Sequence, residues 1–308
     1  MTESFEQLNH NISELTKTVK KVSKHNWVKS LIPLTIMILF SGASWFLIFS
    51  DDNGPKKPHI AILSINGVMQ AGSYSSDAYR LSTKLQELGK NKDVTAVLLK
   101  VNSGGGSPTE AEQISNAIDE FKATGKILIT SIGATCASAC YFAIANSDEI
   151  YNMQSSLVGS IGVRIDTWQY KKALDKIGIE RRTLAAGENK TLLDPFFEVS
   201  LEDAAFIKAH LLDKLHSQFI NTVVSGRGDK LSKNSSDLFS GLVWTGEESI
   251  DLGLSDKIGT PLQALNDLQA LTNVTSTFDY SRNESRLGSI LKGQLSSVFE
   301  TQFTPLIN

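Results

Sequence analysis

The chain is poor in cysteine, with two in 308 residues, and too few to staple a small disulfide-dense fold. It also lacks an excess of basic charge. The formal net charge of −3 leaves no surplus of lysine and arginine to follow a phosphate backbone, which argues against nucleic-acid binding. No internal repeat is present, so a tandem-duplicated architecture is excluded and any ring would be built from identical chains. What is there is apolar: hydrophobic residues make up 41% of the chain and charged ones 20%, enough to bury one sizeable core and too apolar for a disordered chain.

One long stretch lacks charge altogether. From Leu31 to Ser50, "LIPLTIMILFSGASWFLIFS" carries no ionisable side chain. About 20 apolar residues at a 1.5 Å rise match a hydrocarbon layer of roughly 30 Å, so residues 31–50 are expected to be a transmembrane helix. A cleaved secretory signal has a shorter apolar region close to the N-terminus and a small-residue cleavage site, neither of which fits here, so an uncleaved anchor is expected. Lys17, Lys20, Lys21, Lys24 and Lys29 precede the span while Asp51 and Asp52 follow it. The positive-inside rule then keeps the N-terminus cytoplasmic and puts everything after Asp52 outside the cytoplasm.

Residues 1–30 form the cytoplasmic segment, in which Phe5, Leu8, Ile12, Leu15, Val19 and Val22 recur in steps of three and four. That spacing suits either the seam of a two-helix contact or a helix lying against lipid headgroups. Residues 51–58, "DDNGPKKP", read as a linker.

From His59 the period changes. "HIAILSING" and "VTAVLLKV" are apolar strand-like runs, "KILITSI" is a third, and the segments between them have helical spacing. The helix "SPTEAEQISNAIDEFKATG" opens with Ser and Pro and closes with Gly. Such alternation predicts an α/β domain with helices covering a largely parallel sheet, and sites in such sheets form where strands end and helices begin.

Two of those junctions carry candidate chemistry. After Val101, "NSGGGS" places Gly104, Gly105 and Gly106 at a helix start, without the lysine and spacing of a phosphate-binding loop. After Ile132, "GATCASACYFAIA" turns the next strand into a helix with Ser138 at the bend, although the Gly-x-Ser-x-Gly of hydrolases is absent. A serine between two alanines is by itself ordinary helix-start packing. To act as a nucleophile it needs a base within hydrogen-bond reach. His10 and His25 fall on the cytoplasmic side, while His59, His210 and His216 sit in ordinary strand and helix contexts. Lysine is the other option, because a desolvated ε-ammonium can give up its proton. Lys190 lies in the loop "AAGENKTLLDPFF".

"NSGGGS", "ASACYFAIA", "VGSIGVR", "GENKTLLDPF" and "GLVWTGEESIDLGLSDKIG" occur in this order over His59 to Thr260. In order and spacing they resemble the SppA-type signal peptide peptidases, membrane-anchored serine proteases with a Ser-Lys dyad. The resemblance implies a peptidase domain over 59–260 with a Clp/crotonase-like fold of stacked strand-and-helix turns, assembled into a homo-oligomeric ring. It implies Ser138 as nucleophile, Lys190 as general base and acid, and Ser160 as the residue that orients Lys190. The oxyanion donors would be the N–H groups of Gly105 and Ala139, with no metal and no cofactor. Substrates would be cleaved signal peptides and other apolar, membrane-released peptides, and the location a bacterial inner membrane with the catalytic domain outside the cytoplasm.

The chain departs from the family pattern where Ser-Gly-Gly is usual and Ser138-Ala139-Cys140 stands, and where Pro-Gly-Gly reads Gly104-Gly105-Gly106. Alanine for glycine is harmless at helical φ and strained at positive φ. An anchored but catalytically inactive scaffold of the same fold is therefore the alternative expectation. A location outside the cytoplasm permits a Cys136–Cys140 disulfide, and both bridged and free states stand open. "LEDAAFIKAHLLDKLHSQFINTVVSGR" reads as a long amphipathic helix, and the Arg-Gly-Asp run at 227–229 as coincidence. Residues 261–308 are expected to be a helical extension, with Leu287, Ile290, Leu291, Leu295, Val298, Phe299 and Phe303 on its apolar side.

Overall fold

A computed structural model describes residues 7, 10–21, 54–73, 76–232 and 237–281. The chain divides into two units, 1–53 with 284–308 and 54–283, and each is described separately. In the first, residues 10–21 are helical (α1), with Ile12, Leu15 and Val19 exposed. The expected span at 31–50 and the apolar positions of the C-terminal tail lie outside the described residues. Among those described, no helix is long and apolar enough to cross a membrane.

The second unit is built on a mixed, mostly parallel sheet. Its strands are β1 (His59–Asn66), β2 (Val94–Ser103), β3 (Ile127–Ala137), β4 (Glu149–Asn152), β5 (Leu157–Gly159), β6 (Val243–Thr245), β7 (Lys257–Ile258) and β8 (Thr277–Asp279). They run in the order β6-β5-β3-β2-β1-β8, with β4 on β3 and β7 on β4, and among the described residues only the β5–β6 pair is antiparallel. The long apolar runs of β1, β2 and β3 follow from burial on both faces, as parallel strands require. Ala61, Leu63, Ile65, Val97, Leu99 and Val101 point to one face, and Ile60, Ala96, Leu98 and Ile129 to the other. This is the two-residue strand period made visible.

Helices fill both layers. On the first face lie α2 (Ala78–Lys90), with Leu81, Leu85 and Leu88 buried, and α3 (Pro108–Lys122), with Ala111, Ile114, Ile118 and Phe121 buried. Each start is capped: the Asp77 side chain accepts the Arg80 N–H, and the Ser107 side chain accepts the Glu110 N–H ahead of Pro108, the start the sequence signals. The carboxyl of Asp77 is held below its ordinary value by backbone N–H groups, first that of Arg80 and then that of Gly72. Lys126 ends α2 by donating to the carbonyls of Leu88, Gly89 and Asn91 at 2.8, 2.8 and 2.6 Å.

The second face is covered by α9 (Pro261–Thr272), whose Ala264 and Leu268 pack on Ile60, Leu98 and Tyr151. Strand β8 then pairs with β1, Ile60 opposite Thr277. Residues 261–279, expected in a helical C-terminal extension, thus supply a helix packed on this sheet and a strand within it. The physical reason is the open edge of β1 and the apolar face of β2, which need covering.

The remaining helices are α4 (Ala139–Ile144), α5 (Lys171–Lys176), α6 (Leu201–Ile207), α7 (Asp213–Arg227) and α8 (Gly246–Asp251). A π-helical turn, Lys208–Leu212, joins α6 to α7, so the expected long helix is continuous but bulged. No residue from 162 to 218 is buried, and this arm exposes Trp168, Ile177, Leu184 and Leu201. Arg227 at the end of α7 is fully buried, donating from Nη1 and Nη2 to Asp256, both at 2.9 Å, and from Nε to the Gly253 carbonyl. The arginine of the Arg-Gly-Asp run is thereby closed to any partner.

Candidate active site

The site sits where β3 runs out. The first half of β3 pairs with β4, Ile129 to Ser131 against Glu149 to Tyr151, and its last residues pair with β5, Thr135 to Ala137 against Leu157 to Gly159. β3 therefore outlasts its neighbour, and Ser138 is carried to the sheet's end. There the chain turns sharply: Ser138 has φ 53 and ψ −127, and α4 begins at the next residue. The turn is held by the Ser138 N–H to the Gly159 carbonyl at 2.8 Å and the Phe142 N–H to the Ser138 carbonyl at 3.0 Å. The serine hydroxyl does not cap α4. Every residue of α4 is buried, which anchors the helix side of the turn.

A second left-handed serine stands beside it, one residue past the Ala137–Gly159 pair of β3 and β5. Ser160 follows β5 with φ 51, and its N–H donates to the Leu242 carbonyl at 2.7 Å. Ser138 and Ser160 both line a cleft of about 650 Å³. Its floor includes Phe142 and Phe219, stacked with ring centroids 5.0 Å apart, and Leu215. Its rim includes Arg164 and Asp166, paired at 3.4 Å.

The glycine turn after β2 closes the cleft from the other side. Gly105 has φ 108, and a β-carbon there would stand 2.9 Å from the Ser138 Cβ and 3.1 Å from the Ala139 nitrogen. Its N–H is taken by Ser103 Oγ at 3.1 Å. Gly106 bridges to Met69 in parallel fashion, through the Met69 N–H to the Gly105 carbonyl and the Ser107 N–H to the Met69 carbonyl. In such a bridge the central residue's own N–H faces the opposite side, and Gly106 lines the cleft. Ala139 starts α4, where the N–H groups of a helix's first turn have no intrahelical acceptor. Neither Ala139 nor Cys140 has a positive φ, so the side chains that replace the family's glycines carry no backbone strain.

Cys136 and Cys140 form a disulfide with Cα atoms 5.2 Å apart. Lys190 is exposed, in the turns of 187–194, and is not among the residues lining the cleft. Of the histidines, His59 is buried, with Nδ1 2.8 Å from the Lys57 carbonyl and Nε2 2.9 Å from the Tyr280 hydroxyl. His210 stacks on Phe206. His216 contacts the Ile161 carbonyl at 3.2 Å, tying α7 to the segment just after Ser160. That contact, the Phe142–Phe219 floor and the bridge of Gly106 to Met69 were invisible to sequence reasoning.

A serine on a left-handed strand-to-helix turn, beside backbone N–H groups and above a cleft, is the build of a hydrolase elbow. The chain belongs to peptidase family S49, whose model matches residues 120–275, half of the chain. The resemblance to SppA-type signal peptide peptidases holds. A putative signal peptide peptidase SppA of Enterococcus faecium is 29% identical over 232 residues, 73% of this chain and 67% of that one. Protease 4 of Haemophilus influenzae is 30% identical over 72% of this chain and 36% of its own length. The chain also matches the Na(+)/H(+) antiporter NhaA of Brucella melitensis, at 39% identity over 59% of this chain. It spans only 24% of that relative. Among solved structures, a membrane-bound stomatin-specific protease aligns with TM-score 0.46 and 13% identity, over 73% of this chain and 98% of that one.

Proposed function

We propose that the protein is a membrane-anchored serine endopeptidase in which Ser138 attacks the scissile carbonyl and Lys190 is the general base. The observation that carries this reading is the left-handed turn at Ser138, set beside Gly106 and Ala139 above an apolar-floored cleft. Their two N–H groups are the oxyanion donors, Gly106 taking the place first expected of Gly105, whose N–H is spent on Ser103. Ser160, which follows the Gly159 that accepts the Ser138 N–H, orients the lysine. Lys190 takes the hydroxyl proton as the neutral amine and returns it to the leaving amine, and water then frees the acyl-enzyme. No cofactor or metal enters this scheme.

An exposed Lys190 has to be brought against a serine and desolvated before it can act. The uncovered apolar arm around it supplies the surface for that, and a second copy of the chain, in a Clp-like ring, is the partner that fits. Ser138 of one copy is then served by Lys190 of another. Membrane anchoring through 31–50, a catalytic domain outside the cytoplasm, and apolar or signal-peptide-like substrates complete the proposal. The phenylalanine floor supports the last of these, and a disulfide, which the cytosol would reduce, supports the location.

The test is turnover of a fluorogenic apolar peptide by the detergent-solubilised full chain and its Ser138→Ala and Lys190→Ala variants. Each variant alone is expected to be inactive, and mixed assemblies of the two to regain part of the activity. Turnover surviving either substitution removes that residue's role, and no recovery on mixing places both residues of a dyad in one copy. An inactive wild type on varied peptides would favour the scaffold.

A further inference from the structure

The Cys136–Cys140 disulfide brackets Ser138 symmetrically, two residues to each side. Cys136 lies near the end of β3 and pairs in register with Ser103, the residue whose Oγ holds the Gly105 N–H. Cys140 lies in the first turn of α4. One covalent link therefore ties the strand beside the glycine turn to the helix behind the nucleophile, with Ser138 at the middle of the closed loop.

Ser138 occupies a backbone region that a residue with a side chain rarely adopts. Such a conformation persists only where its surroundings over-determine it. No glycine occurs between Gly133 and Gly159 to ease the turn, and the backbone bonds to Gly159 and from Phe142 both depend on it. Relaxation of Ser138 to negative φ would swing its Oγ and the neighbouring Ala139 N–H away from the cleft.

We propose that the Cys136–Cys140 disulfide is a positioning element of the site, a brace that holds Ser138 in its left-handed turn. This rests on the reading of Ser138 as the nucleophile. Both sulfur-bearing residues are fully buried, so only prolonged exposure to excess reductant opens the bond, and the brace is not a rapid switch. It acts on the orientation of the attacking group and leaves the cleft's floor and rim, which bind substrate, in place.

The test uses the full chain in detergent, in three forms: as isolated, after reduction with dithiothreitol with thiols counted by mass spectrometry, and as the Cys136→Ser/Cys140→Ser variant. Peptide turnover and amide hydrogen exchange are both read. In the reduced protein and the variant, kcat is expected to fall about tenfold or more with KM within about twofold. Exchange of residues 136–142 should accelerate while β1 and β2 stay protected, and reoxidation of the reduced protein should restore both readouts. Unchanged exchange with both thiols free overturns the proposal, as does an unchanged kcat in an active enzyme. Protection lost throughout the sheet also overturns it, by making the bond a general staple of the fold. If the oxidised protein turns over no peptide, the peptidase reading fails, and exchange still decides the brace.

Discussion

Gly105 lies directly against Ser138, so that a β-carbon on the glycine would stand 2.9 Å from the serine's Cβ and 2.9 Å from the Ala137 carbonyl oxygen. Only glycine fits there, because its φ of 108 adds backbone strain to the steric conflict. Gly105→Ala is expected to lower kcat/KM by about a hundredfold, through displacement of the nucleophile, while costing about 1–3 kcal/mol of stability. Peptide turnover and thermal unfolding of the same preparation check this, and near-normal activity would contradict the packing.

Asp256 gives a pH dependence of stability. Burial alone would raise its carboxyl, but bonds from Arg227 first, then Lys230, outweigh it and hold the group below the ordinary 3.8. A lowered carboxyl in the folded state stabilises above the unfolded value and loses that contribution as pH falls through the folded value. The wild type should therefore weaken as pH drops below about 4, and Asp256→Asn should flatten that acid limb. At neutral pH, Asp256→Asn leaves Arg227 buried without its counter-charge and is expected to cost about 3–5 kcal/mol. Denaturant unfolding at neutral and acid pH separates the two effects.

The arm of residues 162–218 exposes Trp168 at 76% and Leu184 at 101% of their reference areas, too much apolar surface for a segment with no buried residue of its own. Trp168→Ser with Leu184→Ser should shift the detergent-solubilised protein toward the monomer in light scattering and reduce turnover with it. The sheet's thermal unfolding should barely change. Intact oligomers carrying both substitutions would remove the arm from the proposed assembly.

Lys126→Met removes three bonds to the last carbonyls of α2. A loss of about 1–3 kcal/mol is expected, read as a Tm lower by several degrees, with activity at permissive temperature unchanged.

The layered α/β plan was legible because its signals are local. The apolar runs of β1, β2 and β3, Ser107 with Pro108 as a helix start, and the glycine run ahead of that helix all act over a few residues. The edge strand β8 was not legible: three residues carry too little pattern, and only the open side of β1 selects them. The bond that occupies the Gly105 N–H, expected from the resemblance to be an oxyanion donor, was not legible for the same kind of reason. Ser103 Oγ takes the Gly105 N–H, and the turn is held by the bridge to Met69, a partner far back in the chain.

The sequence by itself determined which residues can do chemistry and where strands give way to helices, since hydroxyls, thiols and periodicity are written residue by residue. Tertiary structure decided what those residues face. It set Ser138 and Ser160 on one cleft, joined Cys136 to Cys140 and left Lys190 on an exposed arm. The reason is that a strand's end, a parallel register and a left-handed turn are fixed by packing between segments that no local pattern connects.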